Sequence, residues 1–251
     1  MKYFIIGILL IFSCSILRSQ NSQPYFGKSL IKIQSSNHNI IDTLLYFNVV
    51  PINCRGSVLN SNLIVDSLTI SWLNNNSIPF VIIHNDLGNT IELEMDYIQK
   101  NKNKRSKNWY TVYRELSEIE DHINIILEDN EIASKIIIGQ SYEGRDISVI
   151  KLGVDNSFDN KPAIFINSCQ HSREWITPMA TTYLIEKLSN QYNTNDEINM
   201  LLNLVDVYIL PVVNPDGYVY TWEEDRWWRK NRQPNTGSDC VIPLPILLSS
   251  N

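Results

Sequence analysis

Residues 163–213 constrain the fold of this chain more than any other stretch. Ala163-Ile164-Phe165-Ile166, ending at Asn167, is a continuous apolar run, the pattern of a strand buried on both faces. Thr177-Pro178 reads as a helix N-cap followed by proline at the first helical position. Ala180, Leu184, Ile185 and Leu188 follow at helical spacing. Thr194 and Glu197 have the spacing of a capping box, which opens a short helix through Leu202. Residues 205–213 form another apolar strand. Strand, helix, helix, strand is the crossover of a mixed α/β sheet.

Two patterned regions flank a basic stretch. Residues 24–99 read as a small α/β module, with short β-rich runs at 30–33, 43–50 and 80–84. Residues 61–73 have mixed periodicity and predict a helix. Residues 100–107 read Lys-Asn-Lys-Asn-Lys-Arg-Ser-Lys, without an apolar residue. Such a segment is either a charged surface loop or a solvated linker open to proteases at Lys104-Arg105. The second region starts near Trp109. Val112, Leu116, Ile119, Ile123 and Ile126 make one helical face. Runs at 135–138 and 147–152, with Glu143-Gly144-Arg145-Asp146 between them, predict a hairpin-like pair.

The N-terminus has the layout of a secretory signal: Lys2, an apolar run over residues 3–12, and small residues around Ser13-Cys14-Ser15, with cleavage after Ser19 also compatible. The apolar run is short for a membrane anchor, so no stable membrane anchor is expected. Cys54, Cys169 and Cys240 remain after the signal, an odd number that leaves at least one thiol unpaired. Asn75-Asn76-Ser77 is a glycosylation sequon, weak by itself. A net charge of −6 argues against a nucleic-acid partner.

His171-Ser172-Arg173-Glu174-Trp175 follows the apolar strand and precedes the helix. That is where α/β sheets place ligand-binding groups. Residues three apart on one turn reach the same cation, but a bare His-x-x-Glu is usually structural. The longer string His-Ser-Arg-Glu-Trp-Ile-Thr resembles the zinc-ligand motif of the A/B-type metallocarboxypeptidases. Asn214-Pro215-Asp216-Gly217-Tyr218 and Arg226-Trp227-Trp228-Arg229-Lys230-Asn231-Arg232 resemble two further motifs of that family. Gly139-Gln140-Ser141-Tyr142-Glu143-Gly144-Arg145 resembles the turn between its first two strands. The four blocks stand in the family's order, and residues 24–99 look like its activation propeptide.

The resemblance implies the first half of the family's mixed α/β/α sheet domain over residues 106–240, behind a signal at 1–19 and a small α+β propeptide domain at 20–105. It implies a secreted zymogen, cut by an activating protease at 104–105, that removes C-terminal residues from peptides. It implies Zn2+ held by His171 and Glu174, Arg229 as the catalytic residue beside the developing oxyanion, and Arg173 and Arg226 as substrate-binding groups. Arg226 reads equally well as a solvated surface charge. Trp175, Trp227 and Trp228 read as packing, Asn214 as a holder of loop geometry, Asp216 and Gly217 as turn residues, and residues 223–225 as an acidic surface run.

A catalytic zinc takes three protein ligands, and His38, His84 and His122 do not stand where the resemblance places the third. Residues 241–251 depart from the family pattern and read as a non-family tail, either a splice variant or a read-through. This chain is therefore expected to be catalytically incomplete, and its 109–251 segment is expected not to fold stably alone. Two other readings stay open. One is a propeptide-like module that inhibits a complete carboxypeptidase in trans, and the other is a metal-free pseudo-enzyme. Basic and apolar C-terminal preferences are equally compatible with the sequence.

Overall fold

The computed structural model describes residues 23–35, 40, 43–44, 47, 49–52, 62–103, 108–128, 130–155 and 161–234. The expected signal segment at 1–19, the Lys104-Arg105 pair, His38, Cys54, Cys240 and residues 241–251 lie outside the described residues.

Among the described residues the first module holds a four-stranded antiparallel sheet with helices packed on it. Its strands are β1 (Ser29–Ile33), β2 (Val50–Pro51), β3 (Asn62–Val65) and β4 (Phe80–His84), in the order β2-β3-β1-β4. Helix α1 (Ser67–Asn75) starts where the Asp66 carboxylate accepts from the Thr69 N–H at 2.8 Å. Helix α2 (Leu87–Asn101) starts in the same way, with Asp86 accepting from Asn89 at 3.0 Å. Each cap satisfies a backbone donor that a helix end would otherwise leave open. Ile31, Leu44, Leu63 and Leu73 fill the core between sheet and helix.

The expectations for this module are refined at three places. Residues 43–44 have helical backbone, and among the described residues of 43–50 strand backbone is found only at Val50. The 61–73 stretch holds β3 before α1, so its mixed periodicity was two elements in one window. Helix α2 escapes the sequence reading because its buried stripe of Leu87, Ile91 and Ile98 is thin and lies among acidic residues.

The second module is built on β5 (Ala133–Gln140), β6 (Asp146–Leu152), β7 (Ala163–Asn167) and β8 (Asp206–Leu210), ordered β5-β6-β8-β7. Strands β5 and β6 form the expected antiparallel hairpin, turned at Gly144 with φ +82°. That left-handed conformation favours glycine. Strand β7 pairs parallel with β8, Ala163 opposite Asp206 through Asn167 opposite Leu210, as a crossover requires. The helices are α3 (Leu116–Glu128), α4 (Ile176–Gln191), α5 (Asp196–Leu204) and α6 (Pro215–Glu223). Ile119, Ile150, Leu152, Trp175, Ile185, Leu202, Ile209 and Tyr218 form the core.

Several boundaries move. Strand β7 is present, but it is not buried on both faces: it lies at a sheet edge, with Ile164 45% and Phe165 58% exposed. Thr177 is not an N-cap. Helix α4 starts at Ile176, and the Thr177 hydroxyl donates to the Glu174 carbonyl while accepting from the Cys169 N–H. Ala180 is exposed, whereas Ile185 and Leu188 are buried as the spacing predicts. Asn195, not Thr194, caps α5 by accepting from Glu197 and Ile198 N–H. Val112 reaches the core from extended backbone ahead of α3.

The two modules share their packing. Ile98 and Met95 of α2 enter the core of the second module. Lys102 pairs with Glu115 at 3.1 Å and Glu118 at 3.0 Å, and its carbonyl accepts from Arg114.

Candidate active site

Parallel strands β7 and β8 end together, so the loops that follow lie side by side at one end of the sheet. Backbone bonds staple them: Ser168 N–H donates to the Leu210 carbonyl, and Val213 N–H to the Ser168 carbonyl, each at 3.0 Å. Cys169 turns the first loop at φ +55°, a conformation that costs a non-glycine residue about 1–2 kcal/mol. The turn delivers His171 and Glu174 to the surface of this end, with His171 Nδ1 2.8 Å from Glu174 Oε1.

Ser172 points the other way. It is fully buried, its hydroxyl donates to the Trp228 carbonyl at 2.8 Å, and its N–H donates to the Arg229 carbonyl at 3.2 Å. The His171 loop is therefore bonded to the backbone that carries Arg229. Asn214 adds a second tie, donating to the Lys230 carbonyl at 3.0 Å and the Gln170 carbonyl at 3.4 Å while accepting from Gly217 N–H. Any Cβ at Gly217 would stand 2.5 Å from the Lys230 carbonyl oxygen and from Asn214 Nδ2. Glycine is thus needed there for close approach, not for turn conformation. Trp175 anchors the whole end. It is 1% exposed, donates to the Thr221 hydroxyl at 2.8 Å, and stacks on Trp222 with centroids 3.9 Å apart.

Arg173 and Arg226 are both engaged. Arg226 is not a solvated charge. Its guanidinium lies 3.6 Å over the Trp175 ring, donates to the Arg173 carbonyl at 3.0 Å, and pairs with Glu94 of α2 at 2.8 Å. Arg173 donates to the Ile52 carbonyl of the first module and lies 5.8 Å over the Trp227 ring. Asp225 accepts from the Tyr25 hydroxyl at 2.5 Å, so the 223–225 run is surface only at Glu223 and Glu224. Burial, together with that bond to Asp225, raises the Tyr25 phenol. The first module thus meets the site end of the second through Tyr25, Ile52 and Glu94.

Asp216 is not a mere turn residue. It is 2% exposed and accepts from the Ser141 hydroxyl at 2.6 Å, Glu143 N–H at 2.9 Å and Arg145 at 2.7 Å. Burial opposes its charge, but these three donors outweigh burial and hold its carboxyl below the usual range. The β5–β6 turn is thereby fixed to the start of α6. Sequence reading missed both Ser172 and Asp216, because neither burial nor long-range pairing leaves a local pattern.

The donor set fits two protein positions of a zinc centre, one imidazole and one carboxylate within reach of each other. Among the described residues no group of three His, Cys, Asp or Glu side chains could hold a metal. His122 is spent elsewhere, 2.9 Å from Glu186 and stacked on Trp109. Burial and the nearby Glu174 charge push the Cys169 thiol up to about 12.

Known proteins resemble this chain in sequence and fold. Residues 120–241 match the sequence model of the zinc carboxypeptidases. The chain is 36% identical to carboxypeptidase B of Rattus norvegicus over 176 residues, 70% of this chain and 41% of that protein. It is 34% identical to carboxypeptidase A2 of Mus musculus over 173 residues, 68% of this chain and 41% of that protein. It therefore spans about two fifths of the length of these curated relatives. The crystal structure of thrombin activatable fibrinolysis inhibitor superposes with a TM-score of 0.71 at 27% identity, covering 86% of this chain and 57% of that one. Carboxypeptidase A from Helicoverpa armigera shares the fold at a TM-score of 0.68 and 24% identity, covering 85% of this chain and 55% of that one.

Proposed function

From its membership of the A/B-type zinc metallocarboxypeptidase family, we propose that the chain is part of a secreted precursor that hydrolyses C-terminal residues from peptides. Residues 20–105 are the activation segment, residues 106–240 are the first half of the catalytic domain, and the activating cut falls at 104–105.

The observation that carries this reading is the convergence of the motifs at one end of the sheet. His171 and Glu174 stand 2.8 Å apart, and Ser172 between them is bonded to the Arg229 backbone. In this reading His171 and Glu174 supply two zinc ligands, and a third comes from outside the described residues. Zinc bound there supplies an acidified water and a polarised carbonyl. Arg229 faces the oxyanion that develops on the scissile carbonyl, a contribution of about 3 kcal/mol in a dry site. Arg173 and Arg226 orient the peptide substrate.

The zymogen reading is supported by the partners of those two arginines. Glu94 and the Ile52 carbonyl occupy Arg226 and Arg173, so a substrate must displace the first module to reach them.

Zinc stoichiometry after dialysis tests the proposal. Weak binding that disappears in both His171→Ala and Glu174→Ala is expected. Tight one-to-one binding that survives both substitutions would remove His171 and Glu174 from the metal site.

A further inference from the structure

The C-terminus of α1 carries a residue that folding does not explain. Ser77 N–H donates to the Asn74 carbonyl at 3.0 Å, and Ile78 N–H donates to the Leu73 carbonyl at 2.9 Å. This pair of bonds is the Schellman closure of a helix, with Ser77 in the left-handed position at φ +52°. Ile78 and Leu73 meet in the same apolar cluster, as that closure favours. Glycine is the residue this position prefers, because a Cβ is strained there. The Ser77 side chain offsets nothing in return: the residue is exposed, and its hydroxyl has no hydrogen-bond partner among the described residues.

Asn75 stands two residues earlier, on the last turn of α1. It is exposed, and its amide also has no partner among the described residues. Thr69 and Leu73 are the buried face of this helix, and Asn75 is turned about 200° from Leu73, outward. No contact described for α1 reaches residues 108–234. The first module instead meets the second through Tyr25, Ile52, Glu94, Ile98 and Lys102.

A hydroxyl kept at a strained position, two residues after an exposed and unbonded asparagine, is explained by the acceptor requirement Asn-x-Ser. We propose that Asn75 is an N-glycosylation site and that its glycan is carried while the first module remains docked. The donor is an oligosaccharide on a lipid diphosphate. The bond from its reducing-end carbon to phosphate oxygen breaks, with the electron pair leaving on the diphosphate. A bond to Asn75 Nδ2 forms, and the amide gives up one proton. The site rests on the secretory reading above, because the transfer takes place only on a translocated chain.

Translation of the full chain with microsomes tests both points separately. Protease protection reports translocation, and a mobility shift removed by peptide N-glycosidase reports the glycan. The expected result is a protected, shifted chain in which Asn75→Gln, Ser77→Ala and Ser77→Gly each lose the shift and Ser77→Thr keeps it. A protected chain without a shift, or a shift that survives Asn75→Gln, overturns the site. An unprotected chain overturns the secretory reading and natural modification with it. Residues 20–251 behind a heterologous signal sequence then decide whether Asn75 is a competent acceptor, and an unshifted protected product rejects that as well.

Discussion

Strands β1 and β7 are each five residues long and each dominated by Ile, Leu or Phe: Ser-Leu-Ile-Lys-Ile and Ala-Ile-Phe-Ile-Asn. Their environments are opposite. In β1 every residue but Lys32 is buried, and Ile31 is 0% exposed. In β7 only Ile166 is partly buried, and Phe165 is 58% exposed. The difference is position in the sheet. β1 lies between β3 and β4, whereas β7 has β8 on one side and no strand among the described residues on the other. An apolar run records that a strand needs covering, and topology decides whether this stretch of chain covers it.

The largest effect expected from that contrast is on the second module alone. Its core borrows Ile98 from α2, and its edge strand is open. An isolated 109–251 segment should give no cooperative thermal unfolding by circular dichroism. A sharp transition with native-like protease resistance would show that β7 needs no cover. Next in size, Ile31→Ala should cost about 2–5 kcal/mol in denaturant unfolding of the full chain, while Phe165→Ala should change stability by about 0.5 kcal/mol or less. Equal costs would erase the distinction between the two strands.

A polar counterpart sharpens the same point, since what is buried is what counts. Asp216→Asn should cost about 2 kcal/mol near neutral pH, because the carboxylate accepts three bonds, one of them from Arg145. Its folded-state carboxyl lies below the usual range, so its contribution is complete above the unfolded value of about 3.9 and is lost as pH falls through the folded value. The stability gap between wild type and variant should therefore narrow below about pH 4, read from denaturant midpoints. A gap that persists undiminished at lower pH would assign the cost to packing. The smallest effect concerns an exposed residue. Ser77→Gly should raise stability by about 1 kcal/mol in protein without glycan, by relief of the left-handed strain at φ +52°. A loss of stability would mean that the Ser77 side chain contributes to the fold.

Much of the site was legible because local sequence dictates local geometry. A His and a Glu three residues apart on one turn must approach each other, and they do. The crossover was legible for the same reason, since apolar runs and helical spacing are short-range patterns. The neighbouring α2 was not legible, because its buried face is too narrow to dominate its periodicity. Thr177 and Thr194 misled as caps because hydroxyl residues bond to backbone in several local arrangements: Asn195 caps α5 in place of Thr194, and α4 has no side-chain cap at all.

The sequence by itself carried the family resemblance, the crossover of the second module and the spacing of His171 and Glu174, because these are short-range patterns. Only the tertiary structure decided that Arg226 is stacked on Trp175 and paired with Glu94, that Ser172 bonds the Arg229 backbone, and that Asp216 holds a distant turn. Those contacts join residues far apart in the chain. Their energies depend on burial and separation, which exist only once the chain has closed upon itself.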